Sequence, residues 1–300
     1  MPYLFFALFG LNLFGCEPAV DIASTDDATA EAATADADPN PAAIAPQRIV
    51  TVPGNITETV FALGMGDRVV GACASSMHPE AVEAVPKVGY RSNLNAEGVL
   101  SLSPDLVIAT DEAGPEDVME QIRAAGVRIE MVASDRTLEG AIDRTTRIAE
   151  LLNASEAGEG LVSAIRSGIA SVPTSDADAP AKPRVMFIYV ARKTSMVAGT
   201  GTAAEAMIAL AGGINAVTEF EEFKPINPEA IVEANPDFIL LDDSGLKSIG
   251  GIDGVLALPG VSQTVAGTKR QIIAMDKTLL LGFGPRLADG AVELAQLLQG

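Results

Sequence analysis

The sequence predicts an α/β protein of two similar lobes, each with a mostly parallel central sheet, joined by one long helix. Three observations lead there: short β-branched runs alternate with helical stretches, one stretch of sequence echoes another, and an amphipathic segment lies between the copies. In the first lobe the strand signals are QRIVTV (47–52), RVVGAC (68–73), DLVIAT (105–110) and VRIEMV (127–132). In the second they are RVMFIYV (184–190), DFILLD (237–242) and RQIIAMD (270–276). LNAEGVLSLSPDLVIAT (94–110) aligns without a gap on INPEAIVEANPDFILLD (226–242), sharing Asn95/Asn227, Glu97/Glu229, Pro104/Pro236 and Asp105/Asp237. Each copy reads as a capped short helix, a Pro-Asp turn and a buried strand. Between the copies, Leu138, Ile142, Ile148, Leu151 and Leu152, then Leu161, Ile165 and Ile169, keep a helical spacing broken near Asn153. The second part, about 155–171, is the expected connecting helix, and it runs into the loop VPTSDADAPAKP.

The chain ahead of these lobes differs in composition. MPYLFFALFGLNLFGC (1–16) is apolar for about the length of a signal core. It resembles a bacterial lipoprotein signal, with Leu13 and Gly15 ahead of Cys16 as the lipidated residue, although no Lys or Arg precedes the apolar run. A buried N-terminal strand or helix is the plainer alternative. From Glu17 to Pro46 there are seven acids and no Lys, Arg or aromatic residue. Such a stretch buries too little apolar surface to offset its ordering entropy, so a disordered acidic tether is expected. The expected organisation is then signal 1–16, tether 17–46, N-terminal lobe 47–152, connecting helix and loop 153–182, and C-terminal lobe 183–300.

Composition removes several function classes. The 300 residues are 48% hydrophobic, enough for real cores, but the longest apolar run is the short N-terminal one, which excludes a polytopic membrane protein. Twenty Lys and Arg against forty Asp and Glu give a net charge of −20, a field that repels phosphate backbones, so no nucleic-acid partner is expected. Two cysteines and one histidine supply neither a Cys/His zinc site nor a disulfide framework. Once Cys16 is lipidated, Cys73 is left over and reads as a small buried apolar residue. The glycine-rich AGTGTAAEAMIALAGG (198–213) lacks both the Gly-Lys-Ser/Thr ending of a phosphate loop and the third glycine of a dinucleotide fingerprint. It reads instead as a tight strand-to-helix turn. A single histidine allows no Ser-His-acid set, and no enzymatic activity is expected.

Over nearly all of 47–300 the chain resembles the helical-backbone class of periplasmic substrate-binding proteins of ABC importers. The likeness rests on RIVTVPGNITETVFALGMGDRVVGA, HPEAVEAVPKVGY and LNAEGVLSLSPDLVIA. AGTGTAAEAMIALAGGINAV, FKPINPEAIVEANPDFIL and LLLGFGPR look in particular like the haem (hemin) importing branch. The resemblance implies a periplasmic or extracytoplasmic monomer, held to the membrane through a lipid anchor only, that takes one ligand between its lobes. It delivers that ligand to an ABC permease and its ATPase. Cobalamin or a ferric siderophore is the alternative ligand within the class. A metallocluster oxidoreductase component is the alternative outside it, disfavoured by the near absence of Cys and His.

The resemblance also implies site residues. Tyr90, in VPKVGYRSNLNAEG, matches the tyrosine that ligates haem iron; ferric iron is a hard acid and phenolate a hard oxygen donor. A free phenol is protonated near neutrality, so the metal or a nearby cation must favour the phenolate. Arg91 is adjacent, while Ser92 stands where the family usually has a basic residue. The plainer reading of Tyr90 is a loop tyrosine packed on its own lobe. His78 is a candidate second axial ligand or propionate contact, set against the commoner surface or helix-N-terminal histidine. Candidates for the propionates are Arg91, Arg192, Lys193, Lys224 and Arg286, with Phe223 offering an apolar face to the porphyrin. Singly, each cation reads more readily as a solvated surface charge. Glu97 and Glu229 stand at equivalent positions of the two copies, expected on the outer face of each lobe. There they form a matched pair for two basic patches of a two-fold symmetric permease, and in the class such a pair docks to transporter arginines. Each also suits a first helical turn on dipole grounds alone.

Overall fold

The structure, a computed structural model, describes residues 45–173, 181–191, 194–225 and 227–299. Cys16 with the whole expected signal, the expected tether up to residue 44, and Arg192 and Lys193 lie outside the described residues.

The first lobe is built from β1 (Ile49–Val52), α1 (Gly54–Ala62), β2 (Val69–Ala72), the short β3 (Gly89–Tyr90) and β4 (Asn93–Leu94), α2 (Ala96–Ser101), β5 (Leu106–Thr110), α3 (Glu116–Ala124), β6 (Arg128–Val132) and α4 (Leu138–Leu151). Four strands make a parallel sheet in the order β2-β1-β5-β6, with Ile49 opposite Leu106 and Val50 opposite Val107. β1 and β5 are buried along their whole length, as expected of parallel strands covered on both faces. Cys73 is fully buried.

The second lobe contains β7 (Arg184–Ala191), β8 (Thr194–Ala198), α6 (Ala203–Leu210), β9 (Ile214–Asn215), β10 (Phe223–Pro225), α7 (Pro228–Ala234), β11 (Phe238–Asp242), α8 (Asp243–Ser248), α9 (Gly251–Leu256), α10 (Val265–Lys269), β12 (Ile272–Met275), α11 (Lys277–Leu281) and α12 (Leu287–Leu297). α5 (Ser155–Ala170) runs between the lobes as the connecting helix. β9 and β11 flank β7 in parallel and β12 follows β11, repeating the first lobe's plan; β8 and β10 extend the sheet antiparallel. The glycine-rich run is the turn from β8 into α6. A Cβ on Gly199 would stand 2.1 Å from the carbonyl oxygen of Phe220, so that position admits no side chain.

The echo has a physical cause. Asn95 accepts from Gly98 N at 2.8 Å to cap α2, and Asn227 accepts from Glu229 N and Ala230 N at 3.0 and 3.3 Å to cap α7. The shared aspartates then tie down the first strand of each lobe: Asp105 accepts from Gln47 N and Arg48 N at 2.8 and 3.1 Å, and Asp237 accepts from Arg184 N at 2.9 Å. Arg48 Nη2 donates to Leu102 O at 2.5 Å and Arg184 Nη2 to Ala234 O at 3.0 Å, so each lobe also closes the end of its echoed helix with an arginine.

α5 packs on α4 of the first lobe and α12 of the second. Two glycines permit it: a Cβ on Gly158 would stand 2.4 Å from Ala149 Cβ, and one on Gly168 2.5 Å from Ala288 Cβ. Gly160, on the same helix, meets nothing within 4 Å. Gly160→Ala should therefore raise the urea-unfolding free energy by up to ~1 kcal/mol through helix propensity. Gly168→Ala should lower it by about 1 kcal/mol or more, because overpacking costs more than the propensity returns. Equal stabilisation by both would contradict this packing.

Candidate functional site

In open parallel sheets, ligands sit beyond the carboxyl ends of the strands. The β3–β4 hairpin that carries Tyr90 is pinned to that edge of the first sheet. Ala74 N, just past β2, donates to Gly89 O at 2.7 Å, while Gly114 N, just past β5, donates to Arg91 O at 2.8 Å. Tyr90 is 44% exposed, so its ring is not packed away into its own lobe. Arg91 Nη1 donates to the Tyr90 hydroxyl oxygen at 3.2 Å, and its guanidinium carbon lies 5.4 Å from the ring centroid. Arg91 therefore reaches the phenol although Ser92 follows it.

Arg91 is itself held. Its Nε lies 3.0 Å from Glu112 Oε2, and the other oxygen of Glu112 accepts from Arg136 Nη2. Glu112 follows β5 and Arg136 follows β6, so the trio lies along the carboxyl edge of the sheet. Two guanidinium groups share one carboxylate, which leaves the trio positive within a chain of net charge −20. Arg136 lines a cavity of about 400 Å³ between the lobes, walled by Ser134 to Thr137 on one side and by Gly201, Thr202, Glu205 and Ala206 on the other. Sequence reasoning did not find Glu112 or Arg136. Their signal was position, just past strands β5 and β6, where a charge faces the groove.

Two second-lobe expectations change. Phe223 and Lys224 are neighbours on β10, and side chains alternate across a strand. The half-buried Phe223 lies 6.4 Å from Phe187 and 5.9 Å from Tyr189, on the side of the helical core of α6, α11 and α12. Lys224 projects to the other side, its Nζ 4.7 Å from the ring centroid of Phe220. One planar ligand against one face of the strand cannot lie against both. Arg286 is committed elsewhere: its Nη2 lies 2.7 Å from Oε1 of Glu58, a residue of α1 that is 4% exposed. A guanidinium engaged with a buried first-lobe carboxylate is a poor propionate partner, so Arg286 is reassigned to the contact between the lobes. His78 is exposed, and its charge helps pull the Glu58 carboxyl down against the larger upward push of burial.

Glu97 and Glu229 are both exposed and both lie in the first turn of their helices, α2 and α7. Among the described residues, no group of three or more His, Cys, Asp or Glu side chains could hold a metal ion, and no helix is long and apolar enough to cross a membrane.

The fold described above has known relatives. The chain is similar to the periplasmic heme-binding protein RhuT from Roseiflexus sp. RS-1, solved in apo form, at 41% identity and a TM-score of 0.79, covering 84% of this chain and 97% of that one. It is 29% identical over 255 residues to YvrC of Bacillus subtilis, an uncharacterized ABC transporter substrate-binding lipoprotein, covering 84% of this chain and 79% of that protein. It is 26% identical over 258 residues to a cobalamin-binding protein of Halobacterium salinarum, covering 83% of this chain and 69% of that protein. The periplasmic binding protein family model matches residues 49–279, and the chain belongs to that family.

Proposed function

We propose that this chain is an extracytoplasmic carrier that captures ferric haem between its lobes and hands it to an ABC importer. The observation that carries this reading is the Tyr90 hydroxyl, exposed at the carboxyl edge of the first sheet, with a guanidinium donor 3.2 Å from its oxygen. Phenolate is a hard donor suited to ferric iron, and Arg91 offers its hydrogen bond most strongly to an oxygen that carries negative charge. The positive trio of Arg91, Glu112 and Arg136 suits the ligand's carboxylates, with Lys224 and His78 as further contacts from the two lobes. The likeness to RhuT supports the same ligand. Haem is the cargo, so the chain's task is to hold and release it, as a monomer, rather than to transform it.

Tyr90→Phe separates this reading from cobalamin carriage, which the Halobacterium salinarum relative favours. Hemin titration of the chain should give a saturable one-to-one Soret change. Tyr90→Phe should weaken binding about a hundredfold or more, roughly 2.8 kcal/mol. A spectrum left at that of free hemin, together with tight cobalamin binding, would sink the haem assignment.

Delivery requires a docking surface, and Glu97 and Glu229 supply one carboxylate per lobe at equivalent helix starts. Charge-complementary docking acts on encounter and register. Replacing both by Lys should abolish stimulation of the importer's ATPase while hemin affinity stays within about twofold, as expected of an effect on docking alone. Stimulation at the unsubstituted level would remove the docking role. Cys16 completes the reading as a lipid anchor; labelling with a palmitate analogue should be lost in Cys16→Ser.

A further inference from the structure

The segment Phe283–Arg286, between α11 and α12 of the second lobe, is gripped by two first-lobe side chains. Arg286 donates to both oxygens of Glu58, from Nη2 at 2.7 Å and from Nε at 3.4 Å. Arg144 on α4, 3% exposed, donates from Nη2 to Phe283 O at 2.6 Å. The backbone comes close as well: a Cβ on Gly284 would stand 3.1 Å from Glu58 Oε2. Apolar contact seals the junction, with Ala141 of α4 in the same core cluster as Leu280, Phe283 and Leu287. Arg144 uses its other nitrogen on the first lobe's own groove wall, donating from Nη1 to Ala133 O at 2.9 Å and Asp135 O at 3.3 Å, next to Arg136. One buried guanidinium thus holds both the second lobe's segment and the loop that lines the interlobe cavity.

We propose that Glu58, Arg286 and Arg144 form an interlobe clasp that holds the two walls of the groove at one separation, so that ligand residence depends on side chains that never touch the ligand. They are positioning residues. Burial pushes the Glu58 carboxyl above its ordinary value, with Asp276 adding slightly, against the downward pull of Arg286 and His78. The folded state therefore holds the Glu58 proton more tightly than the unfolded chain does, and ionising Glu58 costs stability as pH rises from about 4.5 through its raised value. Buried ion pairs with this balance are retained in some proteins for specificity of arrangement. Arg144 has no such freedom: burial lowers its value, Asp135 and Asp111 raise it, and a guanidinium stays charged throughout.

The test measures the distance between the lobes in the ligand-free full chain, by pulsed electron resonance between nitroxides at Glu120→Cys and Glu233→Cys in a Cys16→Ser background. Both label positions are exposed and Cys73 is fully buried. The parent should show one narrow distance, and Glu58→Gln and Arg286→Met should each broaden it. In the same variants hemin release should quicken about tenfold, an effect on dissociation rather than association. The release measurement rests on the haem reading; the distance measurement does not. An unchanged narrow distance in Glu58→Gln overturns the clasp even if unfolding free energy falls, and that variant, which preserves shape, decides alone if Arg286→Met fails to fold. A parent that takes no hemin counts against the haem reading and leaves the distance to judge the clasp.

Discussion

The hydrogen bond from Arg91 to the Tyr90 hydroxyl, 3.2 Å long, is the contact on which the functional reading depends. A tyrosine at a hairpin tip is free to fold back onto its own lobe, which would hide its oxygen. Here Glu112 fixes the guanidinium from one side and the ring stacks against it from the other, so the oxygen is presented rather than stored. Arginine suits that task because its fork serves a carboxylate and a phenol oxygen at once and keeps its charge.

That contact sits at the carboxyl edge of the first lobe's parallel sheet, where Arg136 of the same trio lines the interlobe cavity. Each lobe orders its strands by the same device, an aspartate beyond the echoed helix accepting from the backbone that starts the first strand, Asp105 in one and Asp237 in the other. The repetition also puts Glu97 and Glu229 at matching helix starts. A carrier that delivers to a paired transporter benefits from such duplication, since one plan used twice yields two equivalent outer surfaces. The cargo end is different: in the proposed reading the ligating oxygen comes from the first lobe alone, while the second lobe contributes a wall of the interlobe cavity.

The strands, the echo and the connecting helix were legible because each has a local cause: β-branched runs, a capping Asn, a Pro-Asp turn, and an apolar stripe that breaks near Asn153 and resumes at Leu161, Ile165 and Ile169. Tyr90 was singled out by the family likeness and Arg91 by adjacency, and the structure adds the hydrogen bond between them. Phe223 and Lys224 show what local reasoning loses. Their place just ahead of the second copy says nothing of side-chain direction: the pairing of β10 with β8 decides which way each side chain turns, and that pairing is long-range. Arg286 shows a second loss, since its partner Glu58 lies 228 residues away. A hint was present: Glu58 shares a short helical segment with Ile56, Val60 and Phe61, and Arg144 stands on the same stripe as Ala141 and Ile148. A charge at a core-facing helix position requires a buried partner, yet the sequence does not say which.

The central claim is that a phenol oxygen of the first lobe binds the iron. Resonance Raman spectroscopy of the ferric haem complex, excited in the charge-transfer region, tests it most directly. Coordination by Tyr90 predicts enhanced tyrosinate ring modes that vanish in Tyr90→Phe. A complex that forms without those modes, or keeps them in the variant, would contradict the account.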